Sequence, residues 1–346
     1  MKTEEKLNMI TRNIQEVIDE EKVSSILKKR DLKIYWGTTP TGVPHLGYFV
    51  PLYKIADFLK AGCEVTILFA NLHAYLDNMK STWELLEYRT RFYEFLIKEM
   101  LKLVEVPLDK LKFVKGTDFQ LSERYTLDMY KLSAIMTTKG AQHAGAEVVK
   151  QTDNPKLSGL LYPILQALDE EYLGVDIQFG GVDQRKIFML SRDFMDKIGY
   201  EKKAYLMNPL VPGLGESGKM SSSEPNSKID FFDTDKQIRK KINKAYCVDG
   251  QVEGNGLLAL MRFLIFRELE EKDEDFVINR PEQYGGKIIF KSYKDLEKAF
   301  EKQELKSIDL KMGVADEIIK FVSPLRIKLE QNIGLFNAAY PSLKTN

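Results

Sequence analysis

The sequence predicts an α/β fold with a parallel sheet, followed by a mainly helical region. In the first half, short apolar runs alternate with amphipathic helical segments, as parallel strands joined by crossover connections require. The predicted strands are 33–37, 64–70, 112–115 and 176–180. From about Asp233 the strand signals fade, and apolar-striped helices are separated by glycine and proline.

The chain length indicates two domains, because 346 residues exceed what one hydrophobic core usually organises. We predict an N-terminal helix over 1–30, a sheet domain over 31–232 and a helical domain over 233–346. The sheet domain includes a loop over 209–227 that is rich in glycine, serine and proline, and we expect this loop to be mobile.

One helix is predicted between the second and third strands. Its apolar positions recur at helical spacing from Leu85 to Leu103. Ahead of them, Ser81 and Glu84 have the spacing of a capping box. This pattern predicts that Ser81 caps the helix.

Composition excludes several classes of protein. No stretch approaches the roughly 20 apolar residues that span a bilayer, and the N-terminus lacks the apolar segment of a signal peptide. Cys63 and Cys247 are too few for a metal cluster or a disulfide framework. We therefore expect a cytoplasmic protein without a membrane partner. The 51 basic and 51 acidic residues balance, so a nucleic-acid partner must meet a local patch.

The first candidate site is the loop that follows the strand over 33–37. Backbone N–H groups and the dipole of the next helix, which is predicted from Val50, favour a bound phosphate there. His45 adds a donor, and Gly47 permits close approach of a ligand. Taken alone, the segment is no more than an ordinary turn between a strand and a helix.

The loop over 209–227 carries the second candidate site. Lys219 on a flexible segment can close over a polyphosphate, and the hydroxyls of Ser221 and Ser222 can add donors. By itself this segment is equally typical of a linker.

The third candidate site is a polar stripe on an apolar helix. Tyr162, Gln166 and Asp169 are spaced by four and three residues, so they share one helix face. Their neighbours are apolar, which places the stripe near a core, where a carboxylate needs a partner. A ligand hydroxyl and a structural hydrogen-bond cluster explain the stripe equally well.

A fourth candidate lies at the end of the strand over 176–180. Gly181 and Asp183 stand where a parallel sheet binds nucleotides, and Asp183 can accept from ribose hydroxyls. Paired glycines at a strand end are also common in turns.

Together, these segments resemble a known family. His45-Leu46-Gly47-Tyr48 and Lys219-Met220-Ser221-Ser222-Ser223 resemble the signatures of class I aminoacyl-tRNA synthetases, usually written HIGH and KMSKS. The segments at Tyr35-Trp36-Gly37, 72–76, 162–166 and 180–185 resemble the tyrosyl-tRNA synthetases of archaeal and eukaryotic type. The resemblance implies a Rossmann-like, doubly wound catalytic domain and an α-helical anticodon-binding domain. It also implies a homodimeric ligase that joins L-tyrosine to tRNA(Tyr) through a tyrosyl-adenylate.

The resemblance also assigns residues to the tyrosine site. It implies a site formed by Tyr35, Gly37, His73, Tyr162, Gln166, Asp169 and Gln184. Within it, Tyr35 and Asp169 would face the phenol hydroxyl. Tyr162, Gln166 and Gln184 would surround the amino group and carboxylate. Such a site rejects phenylalanine because its buried polar groups would be left unpaired, a behaviour known from tyrosyl-tRNA synthetases.

ATP and tRNA positions follow from the same resemblance. The implied ATP site comprises Pro40, His45, Gly47, Gly181, Asp183, Lys219 and Met220, with Mg²⁺ on the phosphates and no metal held by the protein alone. The implied catalytic positions are His45, Gly47, Lys219, Ser221 and Ser222. Arg185 and Lys186 would reach the acceptor end of the tRNA, and Tyr284 and Asp309 the first anticodon base. Without the resemblance, Tyr284 would be interpreted as a core aromatic.

Three residues depart from the family pattern, and other functions remain open. Tyr48 replaces the second histidine of HIGH, Ser222 replaces the second lysine of KMSKS, and Asn71 stands where an aspartate is expected. The alternatives are a tryptophanyl-tRNA synthetase, another nucleotidyltransferase and a non-catalytic RNA-binding descendant. Asp169 and Tyr35 argue against the first, and the lysine loop with the helical region argues against the second.

Overall fold

The computed structural model describes residues 1–149, 154–216 and 227–343. Within these ranges a six-stranded sheet forms, with the strand order β1-β6-β5-β2-β3-β4. Its strands are β1 (Glu16–Ile18), β2 (Lys33–Thr38), β3 (Glu64–Phe69), β4 (Leu111–Lys115), β5 (Ile177–Gly181) and β6 (Ala204–Asn208). All neighbouring pairs are parallel except β1 with β6. The four predicted strands and the doubly wound arrangement are confirmed.

The strand order creates a crevice at the centre of the sheet. From β2 the sheet extends through β3 and β4 on one side, and through β5 and β6 on the other. At such a switch point the connections leave neighbouring strands in opposite directions and open a ligand crevice at their carboxyl ends. The first and fourth candidate sites follow β2 and β5, so both border this crevice.

Helices cover the sheet and form the C-terminal region. They are α1 (Thr3–Thr11), α2 (Glu20–Leu27), α3 (Phe49–Lys60), α4 (Asn71–Leu76), α5 (Leu86–Leu103), α6 (Glu123–Ile135), α7 (Thr138–Gly145), α8 (Leu157–Tyr172), α9 (Arg185–Phe194), α10 (Asp235–Lys244), α11 (Gly256–Leu260), α12 (Phe266–Lys272), α13 (Tyr293–Glu301), α14 (Ser307–Gln331) and α15 (Ile333–Ala339). None of the described helices is long and apolar enough to cross a membrane.

Two local predictions were wrong. Residues 1–30 do not form one helix, because β1 separates α1 from α2 and pairs with β6 at the sheet edge. The capping box at Ser81 does not form either. The Ser81 N–H donates to the carbonyl of Ala74, which draws the residue into the preceding turn. The helix instead starts with a 3₁₀ turn over Trp83–Leu85, where Thr82 occupies the N-cap position without a side-chain capping bond, and continues as α5.

The C-terminal region is mainly helical, as expected, with one short hairpin. Strands β7 (Phe276–Ile278) and β8 (Ile288–Phe290) pair antiparallel. The apolar core runs without interruption from the sheet into this region, since Phe49 on α3 contacts both Phe231 and Phe321 with ring centroids 5.9 and 4.5 Å apart. The division at residue 232 therefore stays a prediction.

Candidate active site

A cavity of about 460 Å³ occupies the crevice between β2 and β5. It brings together most of the residues predicted from sequence. The predicted residues that line it are Tyr35, Gly37, His45, Gly47, His73, Tyr162, Gln166, Asp169, Gly181, Asp183 and Gln184. Pro40 is buried between the lining residues Thr39 and Thr41. Lys219, Met220, Ser221 and Ser222 fall outside the described residues.

His45 begins the helical segment on one side of the cavity. Its Nδ1 accepts the N–H of Gly47 at 3.2 Å and so caps the 3₁₀ turn over Leu46–Tyr48 that leads into α3. Burial, reinforced by the nearby charge of Lys228, lowers the pKa of His45 to about 4. The ring is therefore neutral at pH 7, and with Nδ1 accepting, its proton lies on Nε2 as a donor.

Two tyrosines from distant parts of the chain hold the loop that carries His45. The carbonyl of Gly42 accepts hydrogen bonds from Tyr93 on α5 at 2.6 Å and from Tyr340, just after α15, at 2.8 Å. The Tyr93 hydroxyl also lies 3.4 Å from that of Tyr48. The hydroxyl of Tyr48, at the second histidine position of the signature, therefore joins the network that supports the loop.

The polar stripe of α8 faces the cavity. The Tyr162 hydroxyl lies 3.3 Å from that of Thr39, and Gln166 donates to the side-chain oxygen of Gln184 at 3.0 Å. The Tyr35 hydroxyl lies 3.4 Å from the backbone carbonyl of Gln166. Residues from β2, α8 and the turn after β5 therefore surround one polar compartment.

Asp169 lies at the inner end of this compartment and is only 1% exposed. Its Oδ1 accepts hydrogen bonds from Gln120 and Tyr125, each at 2.8 Å. Burial raises the pKa of Asp169 to about 7, and the two donors partly oppose this rise. Sequence reasoning missed Gln120 and Tyr125, because tertiary packing brings them to the carboxylate: Tyr125 lies on α6, which packs on α8, and Gln120 lies in the turn before α6.

The turn after β5 brings Asp183 to the cavity. A side chain at Gly181 would place its Cβ 2.4 Å from the Asp183 carboxylate, so glycine at this position lets the carboxylate keep its placement. The next residues form a 3₁₀ turn over Val182–Gln184 and then α9. An acidic side chain before a helix start, at the carboxyl edge of the sheet, is typical of sites that bind a nucleotide ribose.

The four residues predicted for tRNA lie outside the cavity. Arg185 and Lys186 form ion pairs with Glu16 and Glu147, at 2.9 and 2.8 Å. These pairs are partly exposed, so a phosphate can replace the carboxylates at low cost.

The other two tRNA positions lie together in the C-terminal region. Tyr284 is 66% exposed, so its interpretation as a core aromatic is wrong. Arg280, which sequence reasoning missed, donates to the carbonyl of Gly286 at 3.1 Å and to Asp309 at 3.2 Å. It thereby joins the turn that carries Tyr284 to the carboxylate of Asp309.

The cavity thus combines a loop with donors for phosphate, a carboxylate suited to a ribose and a buried carboxylate that faces a polar pocket. The chain belongs to the tRNA synthetases of class I (W and Y), whose family model matches residues 27–323. The resemblance inferred from sequence is confirmed, because curated relatives at 52–56% identity are named as cytoplasmic tyrosine–tRNA ligases.

Individual relatives differ in length from this chain. The ligase of Gallus gallus is 56% identical over 98% of this chain and 64% of the relative. That of Saccharomyces cerevisiae is 52% identical over 95% of this chain and 85% of the relative. The chain therefore spans less than two thirds of the length of the Gallus gallus and Danio rerio ligases.

Solved structures share the fold. The tyrosyl-tRNA synthetase of Archaeoglobus fulgidus, solved in complex with L-tyrosine, is 34% identical with a TM-score of 0.86, over 95% of this chain and 100% of that chain. The tryptophanyl-tRNA synthetase of Aeropyrum pernix is 17% identical with a TM-score of 0.68, over 93% and 84%. At that identity the likeness shows the fold alone.

Proposed function

We propose that this chain activates L-tyrosine with ATP and transfers it to the terminal ribose of tRNA(Tyr), as a tyrosine–tRNA ligase. The observation that carries the proposal is the buried carboxylate of Asp169 at the inner end of a polar cavity that Tyr35 also lines. A buried acceptor of this kind favours a ligand with a hydroxyl over one without it. The names of the relatives support the same substrate.

The first step joins tyrosine to ATP, which carries Mg²⁺ on its phosphates. The tyrosine carboxylate attacks the α-phosphorus in line, and pyrophosphate leaves. The neutral His45 ring would donate from Nε2 to the phosphates, while Asp183 would accept from the ribose. Lys219, Ser221 and Ser222 retain their predicted role at the pyrophosphate. This chemistry needs positioning and charge stabilisation, and no nucleophile from the protein.

The second step transfers tyrosine to tRNA. A hydroxyl of the terminal ribose attacks the carbonyl carbon of the adenylate, and AMP leaves. Arg185 and Lys186 at the start of α9 are proposed to hold the acceptor end through phosphate contacts. The exposed ring of Tyr284 is proposed to stack on the first anticodon base, and Asp309 to accept from the amino group of that base.

We also propose that two copies of the chain form a homodimer. The exposed face of α6 carries Leu127 and Tyr130, which are 53% and 62% exposed and lie three residues apart on one side of the helix. Exposed apolar patches on helices mark interaction surfaces. Light scattering of the protein should give twice the chain mass of 39.9 kDa, and a Tyr130→Glu variant should shift toward the mass of one chain. A wild-type protein of single mass at micromolar concentration would remove this proposal.

The proposed location is the cytoplasm, where the relatives from Gallus gallus, Danio rerio and Saccharomyces cerevisiae are named as acting. Cys63 is buried and Cys247 is half-buried, and both are free thiols, which suits a reducing compartment.

Exchange of labelled pyrophosphate into ATP, measured with each of the twenty amino acids, tests the function. We expect exchange with tyrosine and not with phenylalanine. Exchange with tryptophan alone would favour the alternative of a tryptophanyl-tRNA synthetase. Lack of exchange with every amino acid would contradict the proposal, and another nucleotidyltransferase or a binding protein would remain as the alternatives.

A further inference from the structure

We propose that Gln120 and Tyr125 are positioning residues for tyrosine selection: both bind Oδ1 of Asp169, and so leave Oδ2 to accept the substrate's phenol hydroxyl. This inference rests on the proposed function and specifies which atom of the pocket recognises the ligand. Neither residue needs to touch the substrate, because each acts by fixing the orientation of the carboxylate.

The two oxygens of Asp169 have different surroundings. Oδ1 accepts from the Gln120 amide and the Tyr125 hydroxyl, both at 2.8 Å. Oδ2 accepts no hydrogen bond from the part of the chain that the structure describes, and His73 Nε2 lies 3.9 Å from it, beyond hydrogen-bond distance. Asp169 lines the cavity and is only 1% exposed, so a hydroxyl that enters the cavity gains a strong hydrogen bond at this oxygen.

Tyr125 can satisfy either protonation state of Asp169. Its hydroxyl lies 2.8 Å from Asp169 Oδ1 and 2.7 Å from the carbonyl of Leu165, and it has one proton to donate. An ionised carboxylate is the stronger acceptor and takes that proton. When Asp169 is protonated, the Tyr125 hydroxyl can donate to the carbonyl of Leu165 and accept from the carboxylic acid. The ionised form, which tyrosine binding uses, therefore depends on Tyr125.

Gln120 is fixed by the turn in which it lies. Its N–H donates to the carbonyl of Gly116 at 2.8 Å, and a Cβ at Gly116 would lie 2.4 Å from the Gln120 side-chain oxygen. Asn71 ties this turn to α4, since its amide nitrogen donates to the Thr117 hydroxyl and its oxygen accepts the Thr117 N–H. An ionised aspartate at position 71 could accept from both the hydroxyl and the N–H of Thr117, whereas the Asn71 amide donates to the hydroxyl. Asn71 thus helps to hold the turn that precedes Gln120.

No cation compensates the charge of Asp169 among the described residues. His73 on α4 is the one basic group within ion-pair distance, and burial lowers its pKa to about 4, so it is neutral. Tyr35 on β2 and Tyr162 on α8 are also neutral. Glu170, the next residue on α8, is a second buried acid whose carboxylate lies beside Tyr205. The ionised form of Asp169 is therefore stabilised mainly by Gln120 and Tyr125.

The test compares Tyr125→Phe with Tyr172→Phe. The control removes a hydroxyl from the neighbouring ring, 4.7 Å away between centroids, which binds Asp128 and not Asp169. Pyrophosphate exchange is measured from pH 6 to 9 with tyrosine and ATP varied in turn. For Tyr125→Phe we expect the KM for tyrosine to rise about 10-fold or more at pH 7, as for loss of a hydrogen bond to a charged group. The KM for ATP should stay unchanged, and the acid limb of kcat/KM should move to higher pH.

A second substitution keeps the test informative if Tyr125→Phe folds poorly. Gln120→Met removes the other donor with little change in volume and should give the same rise in the KM for tyrosine and the same shift of the acid limb. If both variants match Tyr172→Phe in these two measurements while the wild type exchanges with tyrosine, the positioning role is wrong. A wild type that does not exchange with tyrosine contradicts the proposed function itself, so the two failures are distinguishable.

Discussion

Asp169 and Glu170 are consecutive buried acids with different surroundings. Asp169 lines the cavity. Glu170 instead accepts a hydrogen bond at Oε2 from the hydroxyl of Tyr205 on β6, at 3.2 Å. Burial raises the pKa of Asp169 to about 7 and that of Glu170 to about 8. Both acids therefore weaken the fold where they are ionised, but only Asp169 has a proposed contact with substrate.

This contrast predicts opposite effects on stability and activity. Because the folded pKa exceeds the ordinary values of 3.8 and 4.5, the wild type loses stability as pH rises from those values to about 7 and about 8. Asp169→Asn and Glu170→Gln should each raise the free energy of unfolding at pH 8 by about 1 kcal/mol or more, and by less at pH 5. Urea unfolding at the two pH values measures this.

Activity separates the two variants. Asp169→Asn should lose tyrosine activation, because the neutral amide is a weaker acceptor for the phenol, whereas Glu170→Gln should retain it. A stability gain of equal size at both pH values would contradict the assigned burial of the charges. Loss of exchange in both variants would show that the effect is not specific to the cavity.

At the scale of single elements, sequence patterns predicted β2 to β5, including the edge strand β4, but missed β1 and β6 at the other side of the sheet. The strands β2 to β5 have distinct apolar runs, and their order placed two candidate sites at one crevice. The strand β1 has only three half-buried residues in a charged segment, so its pairing with β6 has no clear local signal. At Ser81, a backbone bond to Ala74 outweighed a capping pattern that was locally plausible.

The candidate site shows the same limit. The spacing of Tyr162, Gln166 and Asp169 predicted one helix face, since helical periodicity is a local property. Gln120 and Tyr125 lie 49 and 44 residues before Asp169 in the sequence, and no short-range pattern connects them to it. Arg280 likewise reaches Asp309 across 29 residues. Partners that meet through tertiary packing had to be found in the structure.

At the scale of the whole molecule, the proposed anticodon contact lies in a different region from the chemistry. Tyr284→Ala should therefore raise the KM for tRNA about 5-fold or more in aminoacylation, since stacking on one base contributes about 1 to 3 kcal/mol. Pyrophosphate exchange without tRNA should remain at the wild-type rate. Tyr284→Phe, which keeps the ring, is the matched control and should behave like the wild type. Equal losses of exchange and charging would argue that Tyr284 supports the fold instead.

The Gly42 carbonyl has a consequence for how this protein matures during translation. Its two hydroxyl donors lie 51 and 298 residues further along the chain. Synthesis begins at the N-terminus, so Tyr93 is available early. Tyr340 is available only after the whole six-stranded sheet and the helices up to α15 have been synthesised. The loop that carries His45 therefore acquires its last support late. A ribosome-bound intermediate arrested before residue 340 should contain the sheet, while the loop that carries His45 is held by Tyr93 alone.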